Sequence, residues 1–496
     1  MDLRFPVSTL AADTTPERRH LGATLFLACL AQFMVILDVS VVNVALPAIR
    51  GGLHFSEVDL QWVVNAYTVT FAGFLLLGGR AADLLGRRRV FVGGLLLFAL
   101  ASLAGGIANS QAVLIAARAA QGLGGAVIAP ASLSILTTTF AEGPERNRAV
   151  GLWGAMGGAG GAAGVLLGGI LTDTLGWRWI LFINVPIGVL AAIAAQRLIA
   201  ESRATDRARH FDIAGALAAT IGLSLLVLGI VRTDVTGWSS GPTLALLLGG
   251  IALLGGFLLI EGKIARSPLM PLRIFASRQL SAANLAVLAV GAASFGMWFF
   301  VSLYLQQVLG YSAIRAGLAF LPMTLCIVVG STLASRLLQR VGVKPILTFG
   351  LTLQVAGLLL FALVHADGTY LADVLAPSLL VAMGIGLSFV PATIAAVSGV
   401  APQEAGLASG LVNTSRLFGG ALGLAVLAAI ATARTHSDAR LGDSAHAALT
   451  SGFQLAFVVA AGFAAAGALV ALFGLPTIPR TVRTQSAPTE AEAEPA

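Results

Sequence analysis

The chain has 496 residues, 57% of them hydrophobic and 11% charged, with a mean hydropathy of +0.90 and a formal net charge of +7. About a quarter of a water-soluble globular protein is charged, so this chain has too little polar surface to cover a soluble body. The excess of base points to membrane topology rather than to nucleic acid, because the basic residues sit in short segments between apolar runs.

Apolar runs of roughly 18–28 residues match the ~30 Å hydrocarbon core of a bilayer. They predict fourteen helical spans. The first six cover residues 21–48, 58–79, 89–108, 112–137, 148–172 and 178–198. Two more cover 213–231 and 242–260. The last six cover 279–304, 314–335, 345–364, 373–398, 405–432 and 451–474. The first run is too long for a signal peptide and contains Asp38.

With the N-terminus inside, 22 of the 30 Lys and Arg residues fall in inner segments, 6 in outer segments and 2 within spans. This asymmetry predicts a multi-pass protein of the cytoplasmic membrane with both termini cytoplasmic. The expected organisation is an N-terminal segment (1–20), a six-helix bundle (21–198), a linker with two additional spans (199–278), a second six-helix bundle (279–475) and a disordered cytoplasmic tail (476–496). A weak repeat supports two related bundles: segment 79–89 follows the second span, and segment 335–344 occupies the matching place in the last six. Repeats of this kind put a substrate site between the halves near the midplane.

Charged side chains within spans are costly and mark function by default. Three stand out: Asp38, Arg118 and Arg416. Asp38 is the one acid deep in a predicted span. It can load a proton on one side and release it on the other, with substrate competing for the site. Arg118, in the fourth span, lies at a depth within reach of it, so the two are expected to form the proton-coupling pair. Gln32 and Asn43 share the first span with Asp38 and read as interhelical hydrogen-bonding groups.

In the fifth span Gly160, Gly164 and Gly168 stand at i, i+4, i+8 and form one smooth helix face, with Gly169 beside them. Such a face lets a neighbouring helix come close, and these four residues are expected to form a gating surface. Gln61, Trp62, Asn65 and Tyr67 in the second span, with Trp298, Phe299 and Tyr304 in the ninth, are expected to line an adaptable apolar pocket.

Several chemistries find no motif. Gly158-Ala159-Gly160-Gly161-Ala162-Ala163 matches a dinucleotide fingerprint in letters, but it sits mid-span with no preceding strand. Gly262-Lys263-Ile264 lacks the rest of a phosphate-binding loop, so active transport must draw on an ion gradient or a partner. No nucleophile elbow or zinc-spaced His/Cys set is present, and Cys29 and Cys326 suggest no disulfide framework. The expectation is neither an enzyme nor a cofactor or metal protein.

Four segments carry a family resemblance running from about residue 20 to 475. Gly79-Arg80-Ala81-Ala82-Asp83-Leu84-Leu85-Gly86-Arg87-Arg88-Arg89 is similar to the signature loop of the major facilitator superfamily. The run from Leu114 through Arg118, Gln121, Gly122, Gly124 and Gly125 to Ala126 resembles its fourth-helix signature. The run Leu37-Asp38-Val39-Ser40-Val41-Val42-Asn43-Val44-Ala45-Leu46-Pro47 resembles the first-helix motif of the fourteen-helix drug:proton antiporters of the EmrB/QacA type. Trp177-Arg178-Trp179 through Asn184 to Gly188 resembles the start of that family's sixth helix. The resemblance implies an all-α major facilitator fold and proton-driven export of small amphipathic or drug-like molecules. It assigns Asp38 and Arg118 to proton coupling. It makes Gly79, Asp83, Gly86, Arg87, Arg88 and Arg89 an inner-face clasp that holds one conformational state. Its partners would be the small-molecule substrate, protons and the lipid bilayer, and in double-membraned cells a periplasmic adaptor. One departure stands out: the family's fifth-helix motif carries a proline where this chain has Val165. The alternatives are a dedicated exporter of an endogenous antibiotic or metabolite, or a proton-coupled importer or uniporter.

Overall fold

The computed structural model describes residues 16–141, 144–202, 212–265, 268–398, 400 and 404–476. Most of the expected N-terminal segment, linker residues 203–211, Arg266 and the expected tail beyond 476 lie outside the described residues.

Among the described residues fourteen helices are long and apolar enough to cross a membrane, and there is no strand. The first six spans are Leu21–Leu53, Val58–Leu85, Arg87–Gly106, Gln111–Thr139, Arg148–Thr174 and Trp179–Leu198. The seventh and eighth are Ile213–Thr233 and Gly241–Ile264. The last six are Arg278–Val308, Ala313–Leu338, Val343–Phe361, Tyr370–Ser398, Leu407–Arg440 and Ala445–Gly474. The chain is therefore a multi-pass membrane protein.

Several helices outrun the apolar stretch that betrays them in sequence. The first, with Pro47 inside it, continues five residues beyond the expected end, and the thirteenth continues to Arg440. Hydropathy reports the thickness of the bilayer, not the end of hydrogen bonding, so polar last turns are missed. The same effect corrects one expectation. Most of segment 79–89 is helix rather than loop: Gly86 alone separates the second and third spans.

The two halves repeat each other. The first span packs on the fifth as the ninth packs on the thirteenth, and the second on the fourth as the tenth on the twelfth. The third packs on the fourth and sixth as the eleventh packs on the twelfth and fourteenth. The weak sequence repeat has a backbone counterpart: Gly86 (φ 113°) and Gly342 (φ 89°) break the chain at matching places. Only glycine takes such angles without strain.

The two additional spans sit outside this arrangement. The seventh wedges against the second and thirteenth, where Leu223, Val227 and Val231 meet Val69, Ala421 and Ala425. The eighth leans on the seventh and leaves most of its surface outward, as a lipid-facing helix does.

Hydrogen bonds tie the halves together at one end of the bundles. Asp173, near the end of the fifth span, accepts from the backbone N–H of Ala313 (3.1 Å) and Ile314 (2.8 Å), satisfying orphan donors where the tenth span begins. Ser302 and Gln306 of the ninth span donate to the carbonyls of Asn43 (2.6 Å) and Val44 (3.0 Å) of the first.

Candidate functional site

Asp38 lies in a closed polar nest at the heart of the first bundle. It is 0% exposed and Arg118 is 1% exposed. One Arg118 Nη1–H donates to Asp38 Oδ2 at 2.5 Å. The other oxygen, Oδ1, accepts from Gln121 Nε2 at 2.9 Å and from Asn184 Nδ2 at 2.8 Å. The carboxylate thus joins the first, fourth and sixth spans.

The nest is also tied from outside. Arg118 Nε donates to the Val63 carbonyl at 2.9 Å, and its Nη1 reaches Gln121 Oε1 at 2.9 Å. Gln121 Nε2 also donates to Ser102 Oγ of the third span at 2.7 Å. The Arg118 guanidinium stacks 4.6 Å from the Tyr67 ring centroid, a favourable placement of a cation over a π face. Every partner of Asp38 is a donor, so in this arrangement the carboxylate acts only as an acceptor.

The expected pair is thus brought together, and three members of the nest were not assigned from sequence. Gln121 stands three residues after Arg118, on the same helix face, which places it beside the guanidinium. Asn184 and Ser102 are neutral polar residues whose burial in the nest only the structure shows.

The glycine face lies against the span that carries Asp38. A Cβ on Gly160 would stand 2.8 Å from the Phe33 carbonyl oxygen, one on Gly164 2.6 Å from Ser40 Cβ, and one on Gly168 2.8 Å from the Val41 carbonyl oxygen. Gly169 turns instead to the other half, 2.6 Å from the Ala313 carbonyl oxygen by the same measure. Nearer the start of the fifth span an added Cβ at Gly151, Gly154 or Gly157 meets nothing within 4 Å, while Trp153 Nε1 donates to Ser132 Oγ of the fourth span at 2.9 Å. Val165 is buried, with its carbonyl against Gly317 of the tenth span.

At the junction of the second and third spans Asp83 and Arg87 pair at 2.8 Å, and Arg87 Nε donates to Ser134 Oγ of the fourth span at 2.6 Å. Gly79 packs on Pro130 of that span. Arg88 and Arg89 face Glu201, beyond the sixth span, at 3.8 and 3.6 Å, and Glu201 also accepts from the Arg88 backbone N–H. A Cβ at Gly86 would stand 2.7 Å from the Glu201 carboxylate. These contacts of the six expected residues stay within the first bundle and the segment just after its sixth span, and Glu201 is a contact sequence reasoning missed.

The seven expected lining residues have different neighbours. Gln61 and Asn65 are buried and bonded to each other at 3.3 Å, and Tyr67 belongs to the Asp38 nest. Trp62 packs toward the seventh and thirteenth spans. Trp298 stacks on Phe320 with centroids 5.0 Å apart, Phe299 packs on Phe300, and the Tyr304 hydroxyl donates to the His365 carbonyl at 2.7 Å. A cleft of about 1050 Å³ opens where the first, ninth and thirteenth spans end and the fourteenth begins, lined among others by Arg50, His54, Gln307, Thr432 and His446.

Residues 28–424 match the family described as the Major Facilitator Superfamily. The Cephamycin export protein CmcT of Amycolatopsis lactamdurans is 47% identical over 405 residues, 81% of this chain and 83% of that protein. The Puromycin resistance protein pur8 of Streptomyces alboniger is 40% identical over 462 residues, 92% of this chain and 91% of that protein. Among solved structures, the bacterial homolog of the human lysosomal transporter Spinster, inward-facing and unoccupied, is similar in fold. Its TM-score is 0.65 at 16% identity, over 92% of this chain and 97% of that one. The chain belongs to the major facilitator superfamily, a family of transporters rather than enzymes.

Proposed function

We propose that this member of the major facilitator superfamily exports small amphipathic, drug-like molecules across the cytoplasmic membrane, driven by protons moving inward. Export is supported by relatives named for cephamycin export and puromycin resistance. Proton coupling is carried by one observation: a fully buried carboxylate held by Arg118, Gln121 and Asn184.

In this reading Asp38 is the proton carrier and Arg118 its counter-charge. Ionised, Asp38 accepts from the first bundle's three donors and draws the first, fourth and sixth spans together. Protonation weakens that grip and frees the first span to move against the glycine face of Gly160, Gly164 and Gly168. The close backbone approach there suits sliding, because no side chains must disengage. The clasp around Asp83, Arg87 and Glu201 holds the inner end of the bundle rigid while the halves rock. Both termini face the cytoplasm, as the basic inner segments favour.

The same relatives favour a second reading, a dedicated exporter of one antibiotic made by its host. A substrate survey decides between them. Purified protein in liposomes with a trapped pH dye is challenged with unrelated amphipathic compounds under a proton gradient. Proton flux evoked by several scaffolds supports multidrug export. Flux evoked by one scaffold alone supports the dedicated exporter, and none with any compound overturns antiport.

A further inference from the structure

Arg416 is left over when the charges deep within the membrane are paired. Asp38 is matched by Arg118. Arg416, in the thirteenth span, stands nine residues from its inner end at Leu407, or ~14 Å along the helix axis. Among the described residues no carboxylate lies within ion-pair distance of it. Its contacts are the Asn413 amide oxygen, one turn away on its own helix (Nη2 at 2.9 Å, Nε at 3.3 Å), and two phenyl rings. Phe295 of the ninth span lies 5.8 Å from the guanidinium carbon and Phe389 of the twelfth 6.0 Å.

The position is the seam between the halves. Leu417, the next residue, and Phe295 pack with Met34, Val35 and Phe71 of the first bundle. Arg416 is partly buried as a residue, whereas Arg118 is fully buried. A charge kept in an apolar span without a protein partner is costly, and it persists where an ion or ligand supplies the missing charge. A planar guanidinium flanked by aromatic rings suits a carboxylate on an apolar skeleton: the fork takes both oxygens and the rings take the skeleton.

We propose that Arg416 is the anion-recognising residue of the transport site, binding a carboxylate or comparable single anionic group of an amphipathic substrate. This rests on the reading of the protein as an exporter, and it names the substrate's charge. Asp38 answers to protons and Arg416 to substrate, each in its own half. Exporting an anion while a proton enters moves two positive charges inward, so the membrane potential would add to the drive.

The test is binding without any gradient, which makes it independent of antiport. Naphthalene-1-acetate and its methyl ester share a skeleton and differ by one charge. Their affinities are measured by calorimetry on the full chain in phosphatidylcholine nanodiscs. Wild type is expected to bind the carboxylate at least about ten-fold more tightly than the ester. R416Q should abolish that difference and leave ester binding unchanged, and R416K should keep part of it. Melting curves of both variants report their folding. Equal affinity of the two probes for wild type, no binding of the carboxylate, or a preference that survives in R416Q overturns the proposal. Displacement of the carboxylate by phosphatidylglycerol also overturns it, assigning the charge to a lipid headgroup. Loss of proton flux with carboxylate discrimination intact would sink antiport and leave this inference standing.

Discussion

Asn184 and Asp38 stand 146 residues apart in sequence and 2.8 Å apart in space, joining the start of the sixth helix to the middle of the first. The amide donates to the same carboxylate oxygen that Gln121 reaches from the fourth span. The pairing turns a two-residue ion pair into a three-helix junction. It also makes Asn184 a positioning residue for Asp38 rather than a packing residue. A hydrogen bond to a charged group contributes about 1.5–3 kcal/mol. N184A is expected to lower thermal stability by roughly that amount and to shift the pH profile of transport, whereas N184Q, keeping an amide, should restore part of the wild-type profile. A melting curve and a pH–flux profile check both.

Arg118 carries a larger share. Removing one member of a buried ion pair leaves the other uncompensated, at a cost of about 3–5 kcal/mol. R118A is therefore expected to unfold far more readily than R118K, which retains the charge but loses the Nε–H donated to Val63. In the double variant D38N/R118A the buried charge is gone from both sides. It should recover much of the stability lost in R118A without recovering transport. Thermal melting of the four proteins tests the ordering.

The glycine face offers a graded comparison. At Gly164 an added methyl would collide with Ser40 and the Leu37 carbonyl, while at Gly161 the nearest atoms are 3.9 Å away. G164A is expected to force the first and fifth spans apart and depress transport at least ten-fold. G161A should transport nearly as wild type. Flux per folded protein in liposomes gives the answer, and equal loss at both positions would contradict the sliding surface.

Gly86 is constrained twice over, by φ 113° and by the Glu201 carboxylate against it. G86A should cost about 1–3 kcal/mol, the range for strained backbone, and E201Q should loosen Arg88 and Arg89 without touching the Asp83–Arg87 pair. Protease accessibility of the inner face in intact vesicles reads out both changes.

The number of spans was legible in the sequence because lipid selects for runs of apolar residues, and that signal accumulates over twenty positions. Helix ends were not, because the last turns of the first and thirteenth spans are polar and continue beyond the hydrocarbon. Asp38 and Arg118 declared themselves as charges where charges are costly. Gln121, Asn184 and Ser102 did not, since neutral polar residues are common in membrane helices and only the tertiary arrangement aims them at one carboxylate. Glu201 was hidden for a related reason: it stands among the charges after the sixth span, with nothing local to tie it to Arg88 more than a hundred residues earlier. The lining residues were chosen by residue type alone. Aromatic side chains also fill cores, as Trp298 on Phe320 shows.

The central claim is that Asp38 couples proton entry to export, and D38N tests it most directly, because the amide keeps the shape and removes the charge. Wild type and D38N would be reconstituted side by side with a pH dye inside. Substrate-evoked proton flux would be recorded under an imposed gradient, with folding checked by melting and gel filtration. The account predicts flux in wild type and none in folded D38N. Flux in D38N equal to that of wild type would contradict it, and the coupling acid would have to be sought elsewhere in the chain.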